Sequence, residues 1–182
     1  ALALAALWAQ QQGGDPVLVV MPADHVILEG DVFREAVAKA AKLAETGVAV
    51  TFGITPDCPE TGYGYIQQGS ALTGESGAFA LSRFVEKPER ALAQSYLDSG
   101  DYLWNSGLFV MRASTWVNAL AVCRPDILAA CRQALAGEVD DGDFIRLDRA
   151  AFEHCPSDSI DYAVMERLTA GRDGLPESAV IP

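Results

Sequence analysis

Glu86-Lys87-Pro88 sets an acid and a base side by side and then interrupts the strand that delivers them. Side chains alternate along a strand, so two adjacent charges diverge unless the strand stops there. Pro88 cannot continue the hydrogen-bond ladder, and this frees both charges to face one pocket. A lysine ammonium is a compact charge suited to a phosphate, and a glutamate accepts hydrogen bonds from sugar hydroxyls. Taken alone, the pair reads more simply as a surface ion pair at a sheet edge.

Four further positions carry potential chemistry. Asp24 follows the apolar run Val17-Leu-Val-Val-Met21, at the carboxyl end of a buried strand, where open sheets bind ligands. A carboxylate there can hold Mg²⁺ against phosphate oxygens, although on position alone a loop- or helix-capping role is the simpler reading. Trp104-Asn105-Ser106-Gly107 places an amide beside residues that allow close backbone approach, which suits a polyol and equally a bulge. Thr61-Gly62-Tyr63-Gly64-Tyr65 carries two glycines that can bring a backbone N–H to a sugar ring. Asp161 lies in the first turn of a helix capped by Ser157, Asp158 or Ser159, where the helix dipole stabilises it.

These residues need elements to position them. The opening residues from Ala1 read as a helix, ended by the turn cluster Gly13-Gly14-Asp15-Pro16. Val17 to Met21 and Val48 to Ile54 are continuous apolar runs, as in strands buried on both faces. Between them a helix from Asp31 to Glu45 presents Phe33, Val37, Ala40, Ala41 and Ala44 on one face. Strand, helix and strand at this spacing form a βαβ unit, which predicts an α/β domain with a mostly parallel sheet flanked by helices. Tyr63 to Gln67 and Phe79 to Glu86 read as strands around a Gly/Ser-rich turn, and a helix follows from Pro88 to Leu97. Leu103 to Arg112 is a further strand. The remainder reads as helices over about 115–123, 125–135, 143–152 and 160–168.

Composition narrows the function classes. The chain of 182 residues is half apolar and 21% charged, within the range of a single domain with a full core. Its net charge of −12 argues against a general nucleic-acid binder, which needs a basic face. Cys58, Cys123, Cys131 and Cys155 show no zinc-ligand spacing with His25 and His154, so reduced thiols in a cytoplasmic protein are expected. Both ends read as cut: the first residue already lies in helical pattern, and Val180-Ile181-Pro182 begins a strand.

In order, these stretches resemble the bacterial mannose-1-phosphate guanylyltransferases, including those fused to a mannose-6-phosphate isomerase domain. The stretches are Met21-Pro-Ala-Asp-His25, Thr51-Phe-Gly-Ile54, Pro59-Glu-Thr-Gly-Tyr-Gly-Tyr-Ile66, Arg83-Phe-Val-Glu-Lys-Pro88, Trp104-Asn-Ser-Gly-Leu-Phe109 and Ser157-Asp-Ser-Ile-Asp-Tyr-Ala-Val-Met-Glu166. The resemblance implies a GT-A-like nucleotide-diphospho-sugar transferase fold and the formation of GDP-mannose and pyrophosphate from GTP and mannose 1-phosphate. It puts Asp24 on a catalytic Mg²⁺ and Lys87 on the sugar phosphate. It puts Glu86 and Asn105 on the mannose hydroxyls, the Gly64 backbone against the sugar, and Asp161 among the substrate-binding residues.

The family's Gly-rich triphosphate loop would precede Ala1, and its Trp-x-Asp-x-Gly segment would follow Pro182. Residues 1–182 are thus expected to be a partial nucleotidyltransferase domain, with little transferase activity by itself. A pyrophosphorylase for another nucleotide sugar, or a non-catalytic sugar-nucleotide-binding domain of the same fold, remains open at this point. Oligomeric state is open too, a homo-oligomer included.

Overall fold

The computed structural model describes residues 1–74, 77–168 and 174–182. Helix α1 (Leu2–Gln11) leads into strand β1 (Val17–Val20), helix α2 (Gly30–Glu45) and strand β2 (Ala49–Ile54). Strands β3 (Tyr65–Ala71) and β4 (Phe79–Val85) are followed by helix α3 (Arg90–Ser99) and the long strand β5 (Tyr102–Arg112). Helices α4 (Ala113–Cys123) and α5 (Pro125–Ala136) come next, then a hairpin of β6 (Val139–Asp141) and β7 (Phe144–Arg146) and helix α6 (Arg149–Glu153). A π-helical turn (Asp161–Met165) runs into the short helix α7 (Glu166–Leu168), and β8 (Ser178–Ile181) returns to the sheet. The Gly/Ser-rich turn between β3 and β4 lies partly outside the described residues.

The main sheet has the order β1-β5-β2-β8-β4-β3, with β3 also pairing β5. The expectation of a mostly parallel sheet needs correction: it is mixed, and among the described pairings only β2 with β8 is parallel. The βαβ unit itself is present, since β1 and β2 run the same way. They are not neighbours, because β5 inserts between them and pairs antiparallel with both. Local pattern fixes that a crossover occurs and leaves open which distant strand enters the gap.

Alternation along the strands divides the core. Phe109 and Met111 of β5, with Val180 of β8, point to the side covered by α1, α4 and α5. Leu108, Val110, Val50, Phe52, Ala179 and Ile181 point to the opposite side, where Ala40, Leu43 and Ala44 of α2 cover them. The two-sided burial explains why these strands read as unbroken apolar runs rather than alternating ones. Each fully buried Val contributes roughly 1.5–3 kcal/mol from lost water contact. A smaller aromatic cluster seats α3, with Tyr96 stacked on Tyr102 at 3.9 Å between ring centres.

Several local readings differ from the structure. β1, expected to be buried on both faces, is an edge strand, and the helix expected from Pro88 begins at Arg90, so Pro88 stands before it. Helix was expected across 143–152, and part of that range is the β6–β7 hairpin. Gly142, at φ 67°, and Asp143 form its two-residue turn, a Gly-Asp signal that composition-based helix counting overlooks. The helix expected at Asp31 begins at Gly30, so Asp31 sits inside the first turn and pairs with Arg34. No helix among the described residues is long and apolar enough to cross a membrane.

Candidate active site

β5 exchanges partners along its length, and the exchange makes room. Residues 109–112 pair with β1 on one edge, and residues 102–104 pair with β3 on the same edge. On its other edge β2 spans the interval, with a register shift between Thr51 and Gly53. The interval is a bulge at Asn105-Ser106-Gly107-Leu108, with Gly107 at φ 72°. A cavity of about 700 Å³ opens there, between the end of β1, the start of β3, the end of β4 and the start of the π-helical turn. All six residues singled out in the sequence line it: Asp24, Gly64, Glu86, Lys87, Asn105 and Asp161.

Adjacent residues Glu86 and Lys87 reach the same cavity because the backbone turns left-handed at Lys87, φ 47°. Among the described residues it is the only non-glycine with positive φ, a conformation that costs a lysine of order 1–3 kcal/mol. The Lys87 N–H donates to the Tyr63 carbonyl at 3.2 Å, which ties the turn to the Gly62–Gly64 loop. One residue earlier, the Glu86 N–H donates to the Glu166 carboxylate at 3.0 Å. The strand end is therefore held from two directions.

Asn105 is held as firmly. Its N–H donates to the Gly64 carbonyl at 2.8 Å, and its side-chain oxygen accepts from the Gly107 N–H at 3.3 Å. The Thr51 hydroxyl, fully buried, lies 3.2 Å from that same oxygen and 2.9 Å from the Leu108 carbonyl. With Oδ1 so occupied, Nδ2 must face the other way, and it donates to Asp161 at 3.1 Å. One Nδ2 hydrogen is left without a protein partner among the described residues, aimed where a ligand hydroxyl can accept it.

The electrostatics follow from burial. The Glu86 side chain is only 9% exposed, and its carboxyl is pushed above the ordinary 4.5 by burial and then by the negative charge of Asp161. Asp161 is likewise raised above 3.8 by burial, partly offset by the hydrogen bond from Asn105 and the charge of Lys87. Lys87 Nζ sits 3.4 Å from Glu86 and is more than half exposed. It is the only Lys or Arg among the described lining residues.

A raised folded-state pKa in an acid means that folding disfavours the charged form. The stability of these two groups is therefore full below their ordinary values of 4.5 and 3.8 and is lost as pH rises through the higher folded values. Glu86→Gln removes one such buried charge at nearly constant shape. It should raise the melting temperature at pH 7 by about 2 °C or more, with the gain shrinking toward pH 4.5. Thermal melts of both proteins at the two pH values check this. A destabilised variant at pH 7 would show that the Lys87 contact outweighs the burial penalty.

Two supporting residues went unassigned at the sequence level. Thr51 orients Asn105, and its only signal was a polar residue inside an apolar strand run. Glu166 holds the Glu86 backbone across 80 positions, a partnership that no local pattern reports. Tyr63 and Trp104 meet edge to face at 5.2 Å and form an aromatic wall of the cavity. Cys123 and Cys131 are core residues of α4 and α5, and, among the expected capping residues, the Ser159 hydroxyl oxygen accepts the Tyr162 N–H at the start of the π-helical turn.

Comparison with known proteins meets this geometry at several levels. Residues 1–150 match the family described as nucleotidyl transferase. The xanthan biosynthesis protein XanB of Xanthomonas campestris is 54% identical over 92% of this chain and 35% of its own length. The mannose-1-phosphate guanylyltransferase ManC of Salmonella typhimurium is 53% identical over 92% of this chain and 36% of its own length. The chain thus spans about a third of the length of the curated relatives it matches.

Among solved structures, one described as a mannose-1-phosphate geranyltransferase from Thermus thermophilus superposes with a TM-score of 0.81 at 31% identity. It covers 99% of this chain and 48% of that one. Another, described as a mannose-6-phosphate isomerase from Helicobacter pylori, gives 0.82 at 30% identity, over 99% of this chain and 66% of that one. The sheet interrupted by β5, the charged strand end and the matched residues agree, and the chain belongs to the nucleotidyl transferase family.

Proposed function

We propose that this chain forms the sugar 1-phosphate side of a mannose-1-phosphate guanylyltransferase, whose full-length form makes GDP-mannose and pyrophosphate from GTP and mannose 1-phosphate. The observation that carries the reading is the meeting of six residues, from five separate segments, around one cavity with a single lysine at its edge. The names of relatives that share half the chain's residues, mannose-1-phosphate guanylyltransferases, support mannose as the sugar and guanine as the base.

Each residue has a role that its chemistry supports. Lys87 contributes a point charge for the sugar phosphate, and its left-handed backbone sets that charge beside Glu86. The Glu86 carboxylate and the remaining Asn105 amide hydrogen take sugar hydroxyls as donor and acceptor respectively. Gly64 lets the ring approach the backbone, and Asp161 acts by holding the Asn105 amide. The phosphate oxygen then attacks the α-phosphorus of the nucleotide, and positioning with charge neutralisation does most of the catalysis.

Asp24 would hold Mg²⁺. Its exposed carboxylate lines the cavity, and among the described residues no three His, Cys, Asp or Glu side chains gather to form a protein cage. A single carboxylate fits Mg²⁺, which keeps waters and shares phosphate oxygens, and the ion would supply charge neutralisation there. A cytoplasmic setting fits a consumer of GTP.

Screening the full-length protein with four nucleoside triphosphates and several sugar 1-phosphates tests the proposal. GTP with mannose 1-phosphate should give the highest kcat/KM. Preference for another sugar or base, or no turnover with any pair, overturns it.

A further inference from the structure

Cys131 and Cys155 meet outside the cavity that holds Lys87. Cys131 is buried on α5, and Cys155 follows α6 and is partly exposed. Their sulfurs lie 3.9 Å apart, and both face a second cavity of about 350 Å³ whose wall includes Ser157, Asp158 and Ile160. We propose that these two cysteines are a covalent cross-link site, oxidised by a small-molecule disulfide to an intramolecular disulfide that pins residues 155–160 to α5.

The geometry favours this pair. At van der Waals contact the sulfurs need to close by about 2 Å to reach a disulfide bond length. Cys58 is exposed, and Cys123 belongs to the α4 core. The two thiols also divide the chemistry. Cys155 is reachable from solvent, whereas burial and the neighbouring Cys155 push the Cys131 thiol up to about 11, so Cys131 does not react first.

The Cys155 thiolate attacks one sulfur of the reagent, forming a mixed disulfide and releasing one thiolate. Cys131 then loses its proton and attacks the Cys155 sulfur, releasing the second thiolate. The protein gives up two electrons and two protons, and the reagent is reduced to two thiols.

The cross-link has a structural address. Cys155 lies six residues before Asp161, which holds the Asn105 amide, and Asp158 between them is ion-paired with Arg124 at the α4–α5 corner. Oxidation adds a covalent anchor to that segment, closing a loop of roughly 25 residues.

The test uses the full-length protein and oxidised glutathione, followed by alkylation, trypsin digestion and mass spectrometry. Residues 113–132, alkylated at Cys123, should appear joined to residues 150–167, two hydrogens lighter than the sum of those two peptides. The oxidised protein should melt several degrees higher than the reduced one. Cys123→Ala should keep the joined peptide, while Cys155→Ser, at a partly exposed position, should abolish it, as should Cys131→Ala. Free alkylation of both thiols, a glutathione adduct that stays on Cys155, or a link through Cys123 overturns the proposal.

Discussion

Gly64→Ala should leave the protein folded and lower turnover of the sugar 1-phosphate in the full-length enzyme by about two orders of magnitude. Gly64 has no positive φ, so alanine meets no backbone strain there. The difficulty is space. A Cβ at Gly64 would lie 2.5 Å from Glu86 Oε2, 3.2 Å from Asn105 Cβ and 3.4 Å from Phe84 Cζ. The Glu86 carboxylate is the far end of a movable side chain, so it gives way at modest cost in stability. Moving away disturbs its 3.4 Å contact with Lys87. The methyl group displaces Glu86 first and also presses on Asn105. Steady-state kinetics beside a chemical denaturation curve separates the effects; full activity at unchanged stability would remove Glu86 from sugar recognition.

Lys87→Ala should raise KM for mannose 1-phosphate by roughly 10- to 100-fold, the loss expected for one charge-assisted contact, and change KM for GTP far less. Lys87 is the only Lys or Arg among the described residues lining the cavity, so no described lysine or arginine there can take its place. Alanine keeps the cost of the left-handed backbone at φ 47°, whereas Lys87→Gly relieves it. The glycine variant should be as impaired toward the sugar phosphate and more stable than the alanine variant by about 1 kcal/mol. Equal effects on both substrates would place the lysine on a shared step instead.

The pairing of strong local signals with long-range uncertainty runs through the molecule. The apolar run of β2 and the periodic face of α2 could be read directly, because burial on both sides of a strand and on one side of a helix each leave a pattern in the residues. The run at Val17 to Met21 marks a strand, but not the expected two-sided burial: β1 is an edge strand, with Val19 and Met21 each 44% exposed. Glu86, Lys87 and Pro88 could be read only in company: alone the pair reads as a surface ion pair, and the neighbouring stretches of the resemblance gave it a role. The insertion of β5 between β1 and β2 could not, since strand neighbours depend on contacts between residues some 90 positions apart. The support for the site was hidden for the same reason. Thr51 reaches Asn105 across 54 positions, and Glu166 reaches Glu86 across 80. The left-handed turn at Lys87 was also illegible, because the preference of a residue before proline is for extended backbone.

The placement of β8 has a kinetic meaning. It is the strand that bridges β2 and β4, and Ala49 pairs with Ser178, 129 positions further along the chain. Until β8 arrives, β2 and β4 each carry an open edge in the middle of the sheet, and the chain between them must lose its loop-closure entropy before that edge is sealed. On a ribosome, β1 through β5 emerge and can pair long before residue 181 is made. The nascent protein therefore passes through a stage with an adhesive central gap, the kind of edge that joins to another chain when its own strand is late.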